Sequence, residues 1–353
     1  MHFAGCTLLR TVASSSPQRR LQILPRVRHW VLAAACLLLL AVQVHAQNTL
    51  SVNTLADSND AAGSCTSAGV CSLRDAITQA NTDAAGDGGK ADSIVFSAPF
   101  TTLANTIGTI TLTSALPEIT ESVNIQGPGA FLLTVSGNNQ FPIFTINTSG
   151  TVNISGLTLA YGKGTDGGAI SIQSPSGGGY LTITNCTLSH NAATGNGGAI
   201  YSYNAISVSI EESTLADNSA LSTTTGNGNG GAIYLQGGGE NEVLNSTLTG
   251  NSAGVEGGAI YADGEMPFNP IEYSVNTTIT GNSAGSQGGG VFIAHGATPY
   301  FTNSIVSGNT TGGTADSGDC VNCQTVARED DLVGGTPPTL GPLAWNGGAP
   351  RRP

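Results

Sequence analysis

Charge is scarce along this chain, and positive charge is scarcer still. Asp, Glu, Lys and Arg make up 10% of the 353 residues, with 11 Lys+Arg against 23 Asp+Glu. Five of those cations (Arg10, Arg19, Arg20, Arg26 and Arg28) crowd into the first 28 positions. The rest of the chain is too acidic to hold a phosphate backbone or an anionic lipid surface, so recognition of nucleic acid or a membrane surface is excluded. Aromatic residues are also few, at 5%, and no segment sustains the i, i+3, i+4 apolar spacing of a long amphipathic helix. Beyond residue 46 no apolar run approaches the roughly 20 residues that span a bilayer. Glycine alone is plentiful, with 49 residues against a usual share of ~7%. Its distribution has no Gly-x-y period and the apolar content is ordinary, which excludes collagen-like and charged disordered chains and leaves a loop-rich all-β fold.

The arginine-rich start runs into an unbroken apolar stretch, Trp30 to Val42, and then Val44-His45-Ala46, a small-x-small cleavage pattern. The stretch is too short to span, so residues 1–46 are expected to be a secretory signal peptide removed after Ala46. The exported chain keeps six cations (Arg74, Lys90, Lys163, Arg328, Arg351 and Arg352) against all 23 acidic residues, a net charge of −17. Cys6 and Cys36 leave with the leader. In an oxidising compartment the natural reading is one short disulfide between Cys65 and Cys71 and another between Cys320 and Cys323, with zinc as the alternative. Cys186, in an apolar-alternating run, is expected to be a buried free thiol.

Two phrases recur. The first is Asn185-Cys-Thr-Leu-Ser-His-Asn191, repeated with variation at 212–218, 245–251, 276–282 and 303–309 and in degenerate form at 156–162. The second is Gly197-Gly-Ala-Ile-Tyr201, matched at 167–171, 230–234, 257–261 and 288–292. Repeat length varies while the phrases stay intact, as in a solenoid whose strands are fixed and whose loops are free. Apolar residues alternate within each unit (Leu181 with Ile183, Ile233 with Leu235, Val291 with Ile293), so the units are strands. Stacked in parallel they predict a β-helix with one rung every ~4.8 Å. Asn191, Asn218, Asn251, Asn282 and Asn309 are expected to stack at one corner, bonding to one another or to corner backbone, and to supply the left-handed backbone that a corner needs. The paired glycines serve a tighter corner.

These phrases resemble the right-handed parallel β-helix repeats of bacterial secreted and surface proteins, including the polymorphic outer-membrane proteins. Upstream, Val52-Asn-Thr-Leu-Ala-Asp57, Cys71-Ser-Leu-Arg-Asp-Ala-Ile77 and Asp92-Ser-Ile-Val-Phe96 resemble the CSLREA domain that opens many such chains, with Asp75 where Glu is usual. Downstream, Leu340-Gly-Pro-Leu-Ala-Trp-Asn-Gly-Gly348 resembles the start of a choice-of-anchor region. The expected organisation is a leader at 1–46, a cap at 47–100, a right-handed, single-stranded parallel β-helix at 101–312 and an irregular tail at 313–353. In the cap, Leu73, Ala76, Ile77 and Ala80 form one helical stripe, with Ser72 as N-cap and Asp75 as its box partner.

The resemblance implies a bacterial envelope or extracellular location and a non-catalytic adhesion or carbohydrate-binding role, with extracellular glycans or cell-surface molecules as partners. Pectate lyases and polygalacturonases share the architecture, so a lyase or hydrolase is the competing class. Against it, Lys163 is the only cation between residues 150 and 312, where a lyase needs a base beside calcium carboxylates. No catalytic residue and no metal site is assigned. Glu211, Asp217, Glu242 and Asp263 are the carboxylates a hydrolase would draw on, His190 and His295 are read as isolated loop residues, and the acidic stretches 57–60 and 83–92 are the places where calcium would bind. If Ile200, Ile233, Ile260 and Val291 point inward, alternation sends Tyr201, Tyr234, Tyr261 and Phe292 outward, one per rung. That column is expected to be either an exposed platform for sugar faces, with Gln236 and Asp263 as polar partners, or a structural ring ladder.

Overall fold

The computed structural model describes residues 48–334 except 60–64, 66–68, 84–89, 98–106, 174–178, 204–206, 225, 238, 265–270, 296–297, 313, 316–317 and 324–330. The expected leader and the anchor-like segment lie outside the described residues. Each coil lays down four short strands, as in Tyr180–Thr184, Thr187–Ser189, Ala192–Ala193 and Ile200–Tyr203. Stacking of coils turns these into four sheets of nine, nine, seven and seven strands among the described residues, called first to fourth in the order the chain visits them. The result is the expected right-handed parallel β-helix, and the one antiparallel pair among the described strands joins Thr310–Thr311 to Thr314–Ala315.

In-register pairing puts like on like. Leu159, Leu188, Leu215, Leu248, Ile279 and Val306 stack inward on the second sheet, and Ile170, Ile200, Ile233, Ile260 and Val291 on the fourth. All eleven are buried, each stabilising the coil by about 1.5–3 kcal/mol relative to exposure.

The corners are held by side chains. Asn191, Asn218, Asn251, Asn282 and Asn309 are wholly buried. Each of the first four donates its Nδ2–H to the Oδ1 of the next at 2.9 Å. The same Nδ2 groups also donate to a carbonyl one coil back, as Asn218 does to Leu188 at 3.0 Å. The ladder ends on Asp319, whose Oδ1 accepts from Asn309 Nδ2 at 2.9 Å. Both bonding modes expected from the sequence occur, but the left-handed backbone is elsewhere. It falls on the residue before each ladder Asn (His190, Asp217, Gly250) and on the first residue of the phrase (Asn185, Asn245, Asn276, Asn303). The ladder amides must point into the coil to bond, and a residue turning the corner points out. A second column runs beside it: Cys186 N–H donates to Ser213 Oγ at 3.1 Å and Ser213 N–H to Ser246 Oγ at 3.0 Å. Glycine pairs close the other corner. Gly197 is left-handed (φ 64°), and a Cβ on Gly198 would collide with the Gly231 carbonyl oxygen of the next rung.

The cap is part of the solenoid. Its strands Thr49–Val52 and Asp92–Phe96 pair with each other and with Val123–Gln126, and so supply the first rungs of the first sheet. Between them, α1 (Leu73–Asp83) begins with the expected capping box. Asp75 N–H donates to Ser72 Oγ at 3.1 Å, and Ser72 N–H donates to Asp75 Oδ2 at 3.1 Å. The stripe Leu73, Ala76, Ile77 and Ala80 is buried. Cys65 and Cys71 form a disulfide, as do Cys320 and Cys323, and Cys186 is a buried free thiol. The other boundary also differs from expectation. Cys320–Val321 and Leu332–Val333 pair as further rungs, so coiling continues past residue 312; those strands are only two residues long, which hides any alternation.

Candidate functional site

The expected ring column forms in register, Tyr201 to Tyr234 to Tyr261 to Phe292, and points away from the main core as alternation requires. Ring centroids lie 5.2, 5.0 and 5.5 Å apart with interplanar angles of 15°, 2° and 10°. The rings therefore cover one another's faces, and Tyr234, Tyr261 and Phe292 are 6%, 7% and 8% exposed. A sugar needs an open face, so the column is a ladder and the exposed platform is not present. Burial pushes the Tyr201 hydroxyl up to about 12, helped by the Asp166 carboxylate and Tyr203. The expected polar partners are engaged as well. Tyr234 donates its hydroxyl to Gln236 Oε1 at 3.1 Å, and buried Asp263 holds His295 Nδ1 at 2.8 Å.

The histidines are thus not isolated: His295 rests on Asp263, and His190 stacks on Tyr161 with its Nε2 3.8 Å from Asp217. Of the four carboxylates a hydrolase would draw on, Glu211 and Glu242 stand diagonally on adjacent rungs of the first sheet, whereas Asp217 lies at the corner after the second and Asp263 on the fourth. Asp57, expected near a calcium site, is occupied by protein. It accepts from Arg74 Nε and Nη2 at 3.0 and 2.9 Å and from the Thr113 N–H and hydroxyl at 2.7 and 2.8 Å. Burial pushes this carboxyl up, but Arg74 and Thr113 outweigh it and hold Asp57 below its ordinary value. Asp92 Oδ1 accepts from the Asn48 N–H at 2.9 Å, and 84–89 lie outside the described residues. Among the described residues no three His, Cys, Asp or Glu side chains group as a metal site.

An open groove of about 160 Å³ lies instead on the outer face of the first sheet, lined by Tyr180, Thr182, Ser207, Ser209, Glu240 and Glu242. Parallel register builds it: Tyr180 faces Ser207, Thr182 faces Ser209, and Ser209 faces Glu242 on the next rung. The Tyr180 ring is 62% exposed. Ser209 donates to Glu211 Oε1 at 3.1 Å and Ser207 Oγ accepts from the Glu240 N–H at 3.1 Å, which fixes both hydroxyls. Glu240 and Glu242 flank Asn241, whose buried side chain stands at an inward position and accepts from the Val208 N–H at 3.0 Å. The groove thus offers an open aromatic face, hydroxyls that donate and accept, and two acceptor-only carboxylates. Reading the repeats for what recurs missed it, because Tyr180 and Glu240 occur on one rung each. The signal present was Tyr180 and Glu240 each coming directly after a glycine run, 177–179 and 237–239, where the coil enters its longest strand.

A profile described as a right handed beta helix region matches residues 134–327, more than half of the chain. No curated protein matches the sequence.

Proposed function

Because the chain belongs to the right-handed β-helix family, we propose that it is an exported, non-catalytic glycan-binding or adhesion module whose binding face is the groove on the first sheet. The observation that carries this reading is the pairing of a mostly exposed Tyr180 ring with fixed hydroxyls and the Glu240 and Glu242 carboxylates. Aromatic faces take the apolar face of a sugar ring, and the carboxylates accept from its hydroxyls. Tyr300, 38% exposed, stands four rungs further along the same sheet, roughly 19 Å away at the parallel-strand spacing, so a chain of several sugars would meet both rings. With two glutamates in the groove and no cation lining it, the favoured ligand is a neutral polysaccharide, and polyuronates are repelled.

Export rests on the arginine-rich leader with its small-x-small site, and the two disulfides fit an oxidising compartment. The CSLREA-like opening and the anchor-like segment support a place among bacterial envelope proteins. The test is incubation of the purified protein with neutral and acidic polysaccharides, scoring retention and product formation separately. Retention on a neutral glycan, lost in Tyr180→Ala and without product, supports the proposal. Turnover would replace it with the competing hydrolase or lyase reading, and retention that ignores Tyr180→Ala would remove the groove from it.

A further inference from the structure

The first sheet interrupts its own pairing beneath the groove. Tyr180–Thr184 pairs with Ser207–Glu211 at all five positions, and Glu240–Leu244 pairs with Ile271–Val275 at all five. Between these, Ser207–Glu211 and Glu240–Leu244 pair only at Ser209 with Glu242, Ile210 with Val243 and Glu211 with Leu244. The positions left out are Ser207 opposite Glu240 and Val208 opposite Asn241, and side chains take the backbone donors there. Val208 N–H goes to Asn241 Oδ1 at 3.0 Å, and Glu240 N–H goes to Ser207 Oγ at 3.1 Å.

Asn241 breaks the rule of its column. The inward positions on the four rungs before it are Val123, Val152, Leu181 and Val208, and an amide among apolar side chains is unfavourable unless it is bonded. Both ends of this amide are used: Oδ1 accepts from Val208, and Nδ2 donates to the Gly239 carbonyl at 3.3 Å. A valine in its place would leave the Val208 N–H to the Glu240 carbonyl, the partner that a complete parallel ladder offers. The cost of an inward amide is therefore borne where it keeps two ladder positions from closing, and departures of this kind concentrate at functional sites. The consequence on the outer face falls on Ser207. Its Oγ accepts from Glu240, while its own O–H has no acceptor among the described residues. Ser209 is the reverse, with its O–H spent on Glu211 and its lone pairs left to accept.

We propose that Asn241 is the positioning residue of the groove, holding the ladder open from the core side so that Ser207 donates its hydroxyl to a bound sugar on the outer side. The inference rests on the glycan reading and deepens it. Ser209, Glu240 and Glu242 line the groove as acceptors, and Ser207 adds a fixed donor among them. A sugar ring offers ether and hydroxyl oxygens as well as O–H groups, so one donor set among acceptors selects how the ring lies over Tyr180. Closing the two positions would draw the Glu240 N–H into the ladder and leave Ser207 free to rotate.

The test uses the full chain with soluble dextran, laminarin and galactomannan, the one best retained by the wild type serving as probe. Asn241→Val should keep or raise the denaturant midpoint while weakening retention several-fold, a combination that a merely supporting amide would not give. Its crystal structure should show Ser207 and Val208 paired with Glu240 and Asn241. Ser207→Ala should also weaken retention several-fold, and Ser207→Thr, which keeps the hydroxyl, should restore it. Undiminished retention in Asn241→Val or in Ser207→Ala overturns the proposal. A lowered midpoint or failure of Asn241→Val to fold overturns it as well, since the amide then serves stability and not the groove. If the wild type retains none of the three polysaccharides, the glycan reading fails with them and the ladder alone decides. Closure at Ser207 and Val208 in Asn241→Val then supports the positioning role, and a ladder still open overturns it.

Discussion

At the scale of single residues, a solenoid corner tolerates few substitutes because each side chain serves two rungs. Asn251 accepts from the backbone N–H and the Nδ2 of Asn218 at 3.0 and 2.9 Å and donates to the Leu215 carbonyl at 3.0 Å. Asn251→Ala strands all three partners inside the wall, and a stranded buried polar group costs about 1–3 kcal/mol. Denaturant unfolding of this variant should show a loss of about 3 kcal/mol or more, against under about 1 kcal/mol for Asn276→Gly, which removes an amide of the exposed ladder but keeps the left-handed corner. Cys186 illustrates the opposite case. Its thiol takes the position that Ser213 and Ser246 hydroxyls hold on later rungs, pointing at the Thr184 carbonyl 3.4 Å away. Burial raises the thiol to about 11, against several backbone contacts that act the other way. The native chain should therefore resist thiol reagents at pH 8 and react fully only when denatured. Because the unfolded thiol ionises near 9, stability from this site is complete below that value and declines as pH climbs from about 9 towards 11. Cys186→Ser should remove the decline.

At the scale of elements, the cap shows how far the sequence could be read. Ser72, Asp75 and the apolar stripe of α1 specify a helix through local rules, and each of these features is present. The lock that fastens the helix to the first complete coil was illegible, because it joins residues far apart in sequence. Arg74 reaches Asp57 and also donates to the Ser114 and Ala115 carbonyls at 2.9 and 2.6 Å. The inward columns were legible for the same reason as the helix, since period-2 alternation is local, and so was the direction of the Tyr234 ring. Its burial was not, because 5 Å ring stacking depends on register between rungs. The groove was hidden by its singularity: Tyr180 and Glu240 do not repeat. Arg74→Met should cost about 3 kcal/mol, since it leaves the buried Asp57 carboxylate without its cation. With Asp57 held low, the pair contributes fully above its ordinary value near 3.8 and is lost as pH falls through the lower folded value. Acid titration of unfolding should show that limb in the wild type and a flattened one in Arg74→Met.

At the scale of the whole molecule, stability is a sum of rungs and their nearest-neighbour interfaces. The ends then matter more than the middle, because they alone face water with core residues and strand edges. The last strand of the first sheet among the described residues, Thr298–Thr302, contains Pro299, which has no N–H to offer an added strand. Asp319 and Asp331 are the last members of the two corner ladders among the described residues, accepting from Asn309 and from the Ser304 N–H at 3.0 Å; a carboxylate that only accepts suits the last described position, where no further ladder amide is fed. Excision of a middle coil tests this view directly. Removing residues 245–275 joins Leu244 to Asn276, positions equivalent along the coil because Leu244 and Val275 are register partners. Asn218 then meets Asn282, both end structures persist, and the shortened chain should stay monomeric by size exclusion and unfold in one transition at slightly lower denaturant. Removing residues 319–334 deletes fewer residues but exposes Val306 and the Asn309 amide, and this variant should aggregate. If the middle excision aggregates while the end deletion stays soluble, stability in this chain does not follow the rung sum, and the long-range Arg74 to Asp57 lock becomes the dominant constraint.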